Sequence, residues 1–182
     1  MPLPRENRYT LEDIFNLPDG QRAELIDGQM YMMSPPSYKH QKLVMELSAS
    51  IRDYIKSKGG PCEVLPAPFA VILNQDEDTH YVEPDISVIC DKEKLSDRGC
   101  EGAPDMVIEI VSPSSRRMDY TTKTALYSDA GVREYWIVDP AKGRTTVYRY
   151  EEDAMPVISP FDQPLAVGIL GGLQITIADL LK

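Results

Sequence analysis

Apolar residues fall along this chain in two rhythms. In HQKLVMELSASIRDYIKSKGG, Leu43, Val44, Leu47, Ile51, Tyr54 and Ile55 recur at helical spacing and Gly59-Gly60 stops the pattern, which predicts a long helix. A shorter helix precedes it in YTLEDIFNLPDG, opened by Thr10 with Asp13 three residues on, a capping-box variant, and closed by Pro18 to Gly20. Between the two, RAELIDGQMYMM reads as a hairpin turning at Asp27-Gly28. Beyond the long helix, EVLPAPFAVIL, PDISVIC and DMVIEIV read as strands, with a loop NQDEDTHYVE ahead of the second. Asp119 to Ala130 fits a helix ended by Gly131, and EYWIVDP and TTVYRY pair around the turn at Asp139 to Gly143. The tail GGLQITIADLLK adds a strand and a helical turn. These elements predict an α/β fold, a mixed central sheet flanked by helices with an N-terminal β-hairpin extension.

Three polar residues interrupt the pattern. In DMVIEIV, Met106, Ile108 and Ile110 face one way and Val107, Glu109 and Val111 the other, so Glu109 has apolar neighbours on both sides along its own face. A carboxylate in that position either meets a cation or has its pKa raised by burial. On a helical wheel, Tyr120, Lys123, Leu126, Tyr127 and Ala130 share the stripe that must face the sheet. Lys123 at its centre needs a buried anion, and Glu109 is the nearest candidate in the chain. Asp85 follows Pro84 at the entry to a neighbouring strand. Two acids on adjacent strands and an inward lysine suit metal-assisted phosphodiester hydrolysis. Mg²⁺ prefers oxygen ligands and takes only one or two carboxylates, so Asp85, Glu109 and the backbone carbonyl of Ile110 make a plausible ligand set. Lys123 then orients water or neutralises charge on phosphorus. A two-carboxylate glycosidase is disfavoured, because the lysine charge depresses the pKa of a general acid.

Composition sets bounds on this reading. With 182 residues, 42% of them hydrophobic, the chain is long enough for one sizeable core, and one domain over residues 1–182 is expected. No apolar run approaches membrane length, and MPLPRENRYT lacks the pattern of a signal peptide, so a soluble, cytoplasmic protein without membrane partners is expected. Cys62, Cys90 and Cys100 are odd in number and lack C-x-x-C spacing, which predicts reduced, structural thiols. His80, in the acidic loop, is expected at the surface. The formal net charge of -10 repels polyanions at long range unless basic groups are gathered in one place. Arg116 and Arg117, directly after the Glu109 strand, are the candidates to meet flanking phosphates. Dimerisation is one way for such thin patches to be joined along a cleft.

Pro84-Asp85, VIEIVSPSS around Glu109 and DYTTK ending at Lys123 together resemble the PD-(D/E)XK nuclease superfamily. Within it the chain is similar to the Uma2-type restriction-endonuclease branch, long filed as a domain of unknown function. The resemblance extends through AELIDGQMYMMSPPSYKHQ, EIVSPSSRRMDYTTKTALYSDAGVREYWIVDP and the terminal ITIADLL. It implies a restriction-endonuclease-like fold, dependence on Mg²⁺ with Mn²⁺ as a substitute, and DNA as substrate. Asp85 and Glu109 are thereby implied as metal ligands and Lys123 as the catalytic lysine. The lysine position two residues after Glu109 holds Val111 instead, as if the lysine had migrated to the following helix. The match also points to Glu24 and His40 as members of the site.

Overall fold

The computed structural model describes residues 8–75 and 78–182. Its first elements are helix α1 (Leu11–Phe15), strands β1 (Ala23–Ile26) and β2 (Gln29–Met32), and the long helix α2 (Tyr38–Lys58). Strands β3 (Glu63–Pro66), β4 (Val71–Gln75), β5 (Asp78–Val82), β6 (Ile86–Ile89), β7 (Leu95–Ser96), β8 (Gly99–Glu101) and β9 (Met106–Ile110) follow. A π-type turn, Met118–Thr122, leads into helix α3 (Lys123–Ala130). Strands β10 (Glu134–Asp139), β11 (Arg144–Arg149), β12 (Val157–Pro160), β13 (Leu165–Ala166) and β14 (Gln174–Ile175), then helix α4 (Ile177–Leu180), complete the order.

The capping box of α1 is formed: the Thr10 amide donates to Asp13 Oδ2 at 2.7 Å. Helix α2 ends where the sequence pattern does, on Gly59 in the left-handed conformation at φ 64°, which a side chain would strain. Strands β1 and β2 pair antiparallel around Asp27-Gly28 as expected.

The fold is mixed α/β as expected, and twelve of its strands divide between two six-stranded sheets, while β13 and β14 pair with each other. The first has the order β12-β11-β10-β9-β6-β3 and the second β2-β1-β5-β4-β8-β7. EVLPAPFAVIL is consequently two strands, β3 and β4, one in each sheet. Pro66 and Pro68, which carry no N–H for a ladder, flank the break, and the Ala67–Pro68 peptide is cis. The expected loop NQDEDTHYVE, whose residues 76–77 lie outside the described ones, is instead mostly paired strand, β4 against β5 in register from Val71 opposite Val82 to Gln75 opposite Asp78. His80 is therefore not a surface residue. It lies opposite Leu73, is buried, and accepts a hydrogen bond at Nδ1 from the Asp27 amide at 3.2 Å. The cysteines differ from expectation too: Cys62 and Cys90 form a disulfide, and Cys100 is free and buried. The β3–β6 register, with Glu63 opposite Ile89, continues outward to set Cys62 against Cys90.

The two faces of β9 behave as the alternation requires. Met106, Ile108 and Ile110 pack with Ile86, Val88, Trp136 and the α2 residues Leu43, Leu47 and Ile51. Val107 and Val111 pack on the other face with Leu126 and Tyr127 of α3 and with Ile26, Val71 and Leu73 of the second sheet. Glu109 belongs to this second face, and so projects where both sheets and α3 meet. Among the described residues no helix is long and apolar enough to cross a membrane.

Candidate active site

Strand β9 is buried along its whole length, and Glu109 is 4% exposed at its centre. Antiparallel pairing of Ile86 with Ile108 carries the register one step further to place Asp85 opposite Glu109. Lys123, the first residue of α3, reaches down between the layers. Its Nζ lies 2.8 Å from Glu109 Oε1 and 2.9 Å from Glu24 Oε1. Glu24 comes from β1 in the second sheet and is itself held by the Glu83 amide at 3.0 Å. Tyr127, one turn along α3, donates its hydroxyl to Glu109 Oε1 at 2.7 Å. The lysine thus ties β9, β1 and α3 at a single buried point.

Asp85 is oriented from the other side. Its Oδ2 accepts the Ile110 amide at 2.7 Å and faces His40 Nε2 at 3.1 Å. His40 stands in the first turn of α2, where its own amide donates to the capping Ser37 hydroxyl at 3.3 Å. Five of the sequence-predicted residues, Glu24, His40, Asp85, Glu109 and Lys123, are brought together, and Ile110 joins them through its backbone.

The pocket holds more acid than base. Burial and the nearby charges of Asp85, Asp119 and Glu24 push the Glu109 carboxyl well above its ordinary range, against the pull of Lys123. Burial also opposes the charge on Lys123, but Glu109, Glu24 and Asp119 outweigh it and hold the ammonium charged. Both directions follow from several carboxylates sharing one lysine. For His40, burial works against protonation, while the hydrogen bond and charge of Asp85, the Ile110 backbone and Asp119 together raise its pKa.

Asp119 is the member that sequence reasoning missed. It is 1% exposed, and burial raises its pKa to about 6, with Asp85 and Glu24 adding and Lys123 and the Ser115 hydroxyl opposing. The signal was present, since Asp119 lies four residues before Lys123 and so on the same side of a helical turn. Arg116, by contrast, is engaged by another carboxylate. Its guanidinium grips Asp139 at the end of β10, at 2.5 Å from Nη1 to Oδ2 and 3.2 Å from Nη2 to Oδ1. Arg117 is exposed.

The donor set is one of hard oxygens with excess negative charge, which fits Mg²⁺ or Mn²⁺ rather than a soft metal. Asp119 Oδ1 is buried without a hydrogen-bond partner, as a group awaiting a ligand is. Among the described residues no three acidic, histidine or cysteine side chains converge into a ready-made cage. A cation here would rest on one or two carboxylates and keep much of its water.

Two sheets and two helices of a mixed α/β fold thus enclose the carboxylates and the lysine, and the same fold is found among known structures. The chain covers 94% of itself and 97% of the crystal structure of a "putative nuclease belonging to DUF820" from Anabaena variabilis, with a TM-score of 0.78 and 23% identity. It is also 26% identical over 134 residues to an uncharacterized protein of Synechocystis sp., a span of 73% of this chain and 68% of that one. Residues 11–178 match the model of the Uma2 family, described as "Putative restriction endonuclease", and the chain belongs to that family.

Proposed function

We propose that the protein is a Mg²⁺-dependent endonuclease, with Mn²⁺ as a substitute, that hydrolyses phosphodiester bonds in DNA. One observation carries the reading: Lys123 Nζ bridges Glu109 and Glu24 at 2.8 and 2.9 Å, directly beside the pair formed by Glu109 and Asp85 across the strands. Asp85 and Glu109, with the Ile110 carbonyl, would hold the ion. When bound, it supplies a polarised phosphoryl oxygen and a water of lowered pKa. The protein supplies position and charge. His40 and the Ile110 amide fix Asp85 Oδ2, and Tyr127 with Lys123 fixes Glu109 Oε1. That leaves the second oxygen of each carboxylate for a ligand. The Lys123 ammonium, held charged by its acidic neighbours, stabilises negative charge that grows on phosphorus and orients water toward it. Glu24 keeps the ammonium in place. Arg117, exposed after the β9 turn, contacts a flanking phosphate, whereas Arg116 acts on that loop through Asp139.

Nicking of supercoiled plasmid tests the reading. Wild-type protein with Mg²⁺ or Mn²⁺ converts the plasmid, EDTA stops conversion, and Asp85→Asn and Glu109→Gln abolish it. The net charge of -10 and the commitment of Arg116 to Asp139 favour a second reading, a nuclease-fold binding or assembly module that does not cleave. Homogeneous protein that binds DNA yet leaves it intact with either metal would establish the module instead.

A further inference from the structure

The loop before α3, together with α3 and β10, ties down every polar atom of Asp119 except one. Its amide donates to the Ser115 carbonyl at 2.9 Å. Its carbonyl accepts the Tyr135 hydroxyl at 3.0 Å and the Thr124 hydroxyl at 3.2 Å. Oδ2 accepts the Ser115 hydroxyl at 2.6 Å, and Ser115 Oγ is in turn steadied by the Ser112 amide at 3.0 Å. Oδ1 is buried and has no partner. A buried carboxylate oxygen without a donor gives up its hydration for nothing in return, so a side chain held this firmly around an unpaired acceptor asks for a reason. π-type turns occur disproportionately at functional sites, and this one delivers Asp119 one turn ahead of Lys123.

The neighbours of Asp119 define what could fill that valence. Lys123, Asp85 and Glu24 all act electrostatically on it, and it acts on Glu109 and His40. Lys123 already divides its short contacts between Glu109 and Glu24. The missing donor must come from something that enters. A divalent ion held by Asp85 and Glu109 keeps several waters, and those waters need acceptors. Direct ligation by a third carboxylate is not what this geometry offers, since among the described residues no three acidic, histidine or cysteine side chains are arranged to hold one ion.

We propose that Asp119 is a positioning residue of the cation site, whose Oδ1 accepts a hydrogen bond from a water of the bound divalent ion while the Ser112–Ser115 relay holds Oδ2. This inference rests on the reading of the pocket as a cation-dependent centre. Calorimetric titration of the metal-free full chain with Mn²⁺, in the absence of DNA, tests it apart from catalysis. Wild type binds, Asp85→Asn loses binding, and Asp119→Asn binds about 10- to 100-fold more weakly, the usual cost of removing an outer partner of a metal site. Thermal unfolding of Asp119→Asn in EDTA should show no loss of stability, which separates positioning from a structural role. Ser115→Ala, which leaves the carboxylate in place and removes its anchor, should weaken Mn²⁺ binding in the same direction by less, and it decides the matter if Asp119→Asn does not fold. Undiminished Mn²⁺ affinity in the folded variants overturns the role of Asp119 alone. Wild-type protein without Mn²⁺ binding, or Asp85→Asn with wild-type affinity, overturns the reading of the pocket and this inference with it.

Discussion

Asp139 and Glu109 sit on neighbouring parallel strands, β10 and β9, and both carboxylates are buried, yet their surroundings are opposite. Asp139 is oversupplied with donors: both terminal nitrogens of Arg116, the Tyr120 hydroxyl, and the amides of Ala141 and Lys142. Burial raises its proton affinity, but Arg116, Tyr120 and Lys142 outweigh burial and hold the pKa below the ordinary value of 3.8. The Glu109 pocket is undersupplied, with Glu24, Asp85, Glu109 and Asp119 around one lysine and one histidine. The first arrangement closes a loop and asks for nothing more. The second crowds carboxyls around a single ammonium, an imbalance that a bound cation would relieve under the proposed function, and proteins commonly give up stability for functional sites.

The strongest way to break this contrast is to remove the shared cation. Lys123→Met should lower cleavage by about 10²-fold or more, the scale of losing one preorganised electrostatic group. It should also destabilise the metal-free protein by about 3–5 kcal/mol at neutral pH, because two buried carboxylates lose their partner together. Plasmid nicking normalised to the folded fraction, with urea unfolding in EDTA, measures both. Wild-type turnover in the folded variant would remove Lys123 from the chemistry and leave a structural ion pair.

The two aspartates sharpen the contrast because the same substitution should act with opposite sign. Asp119 titrates at about 6 when folded and 3.8 ordinarily, so the folded state binds the extra proton between those values. Its contribution is fully present below 3.8 and is lost as the pH rises through about 6. The gap corresponds to about 3 kcal/mol, at about 1.4 kcal/mol per pH unit. Metal-free Asp119→Asn should therefore gain on wild type by roughly that amount between pH 4 and pH 7, checked by urea unfolding in EDTA at each pH. An unchanged difference across that range would mean that Asp119 is not held under strain. Asp139→Asn should instead lose about 1–3 kcal/mol near neutrality, toward the lower figure because Arg116 is partly open to solvent. Here the folded pKa is depressed. The stabilisation is present above 3.8 and fades as the pH falls through the lower folded value, so the two proteins should converge in strong acid.

Much of the undersupplied pocket was legible in the sequence. Glu109 and Lys123 betray themselves as charged residues inside apolar patterns, and those patterns fix the faces on which they meet. Asp85 needed Pro84 and the strand beside it, while Glu24 and His40 were reached only through the family resemblance, since nothing local distinguishes them from surface residues. Asp119 escaped because the wheel was drawn around the apolar stripe, although it stands one turn from Lys123. What could not be read was non-local. Whether β4 and β5 join the sheet of β3 or another sheet is decided by packing, and it is that packing which places His80 on an interior strand, between β1 and β4. Cys62 and Cys90 are 28 residues apart, and only the β3–β6 register reveals that they are opposite one another.

The smallest expected effect distinguishes two arginines that the sequence treats alike. Arg116 and Arg117 are adjacent, but Arg116 commits its guanidinium to Asp139 and Arg117 is exposed. A side chain that neutralises a DNA phosphate releases counterions, and each such contact adds about 0.9 to the slope of log affinity against log salt on duplex DNA. Arg117→Ala should lower that slope by about 1 and weaken binding by a similar factor on every sequence, because a phosphate contact carries no base information. Arg116→Ala should leave the slope unchanged, and its effect should appear in thermal stability, where Asp139 loses its strongest donor. Fluorescence anisotropy with a short duplex in Ca²⁺, over a series of KCl concentrations, compares the two. An equal fall in slope for both would show that Arg116 leaves Asp139 to meet DNA, and the oversupplied site would then be a switch rather than a latch.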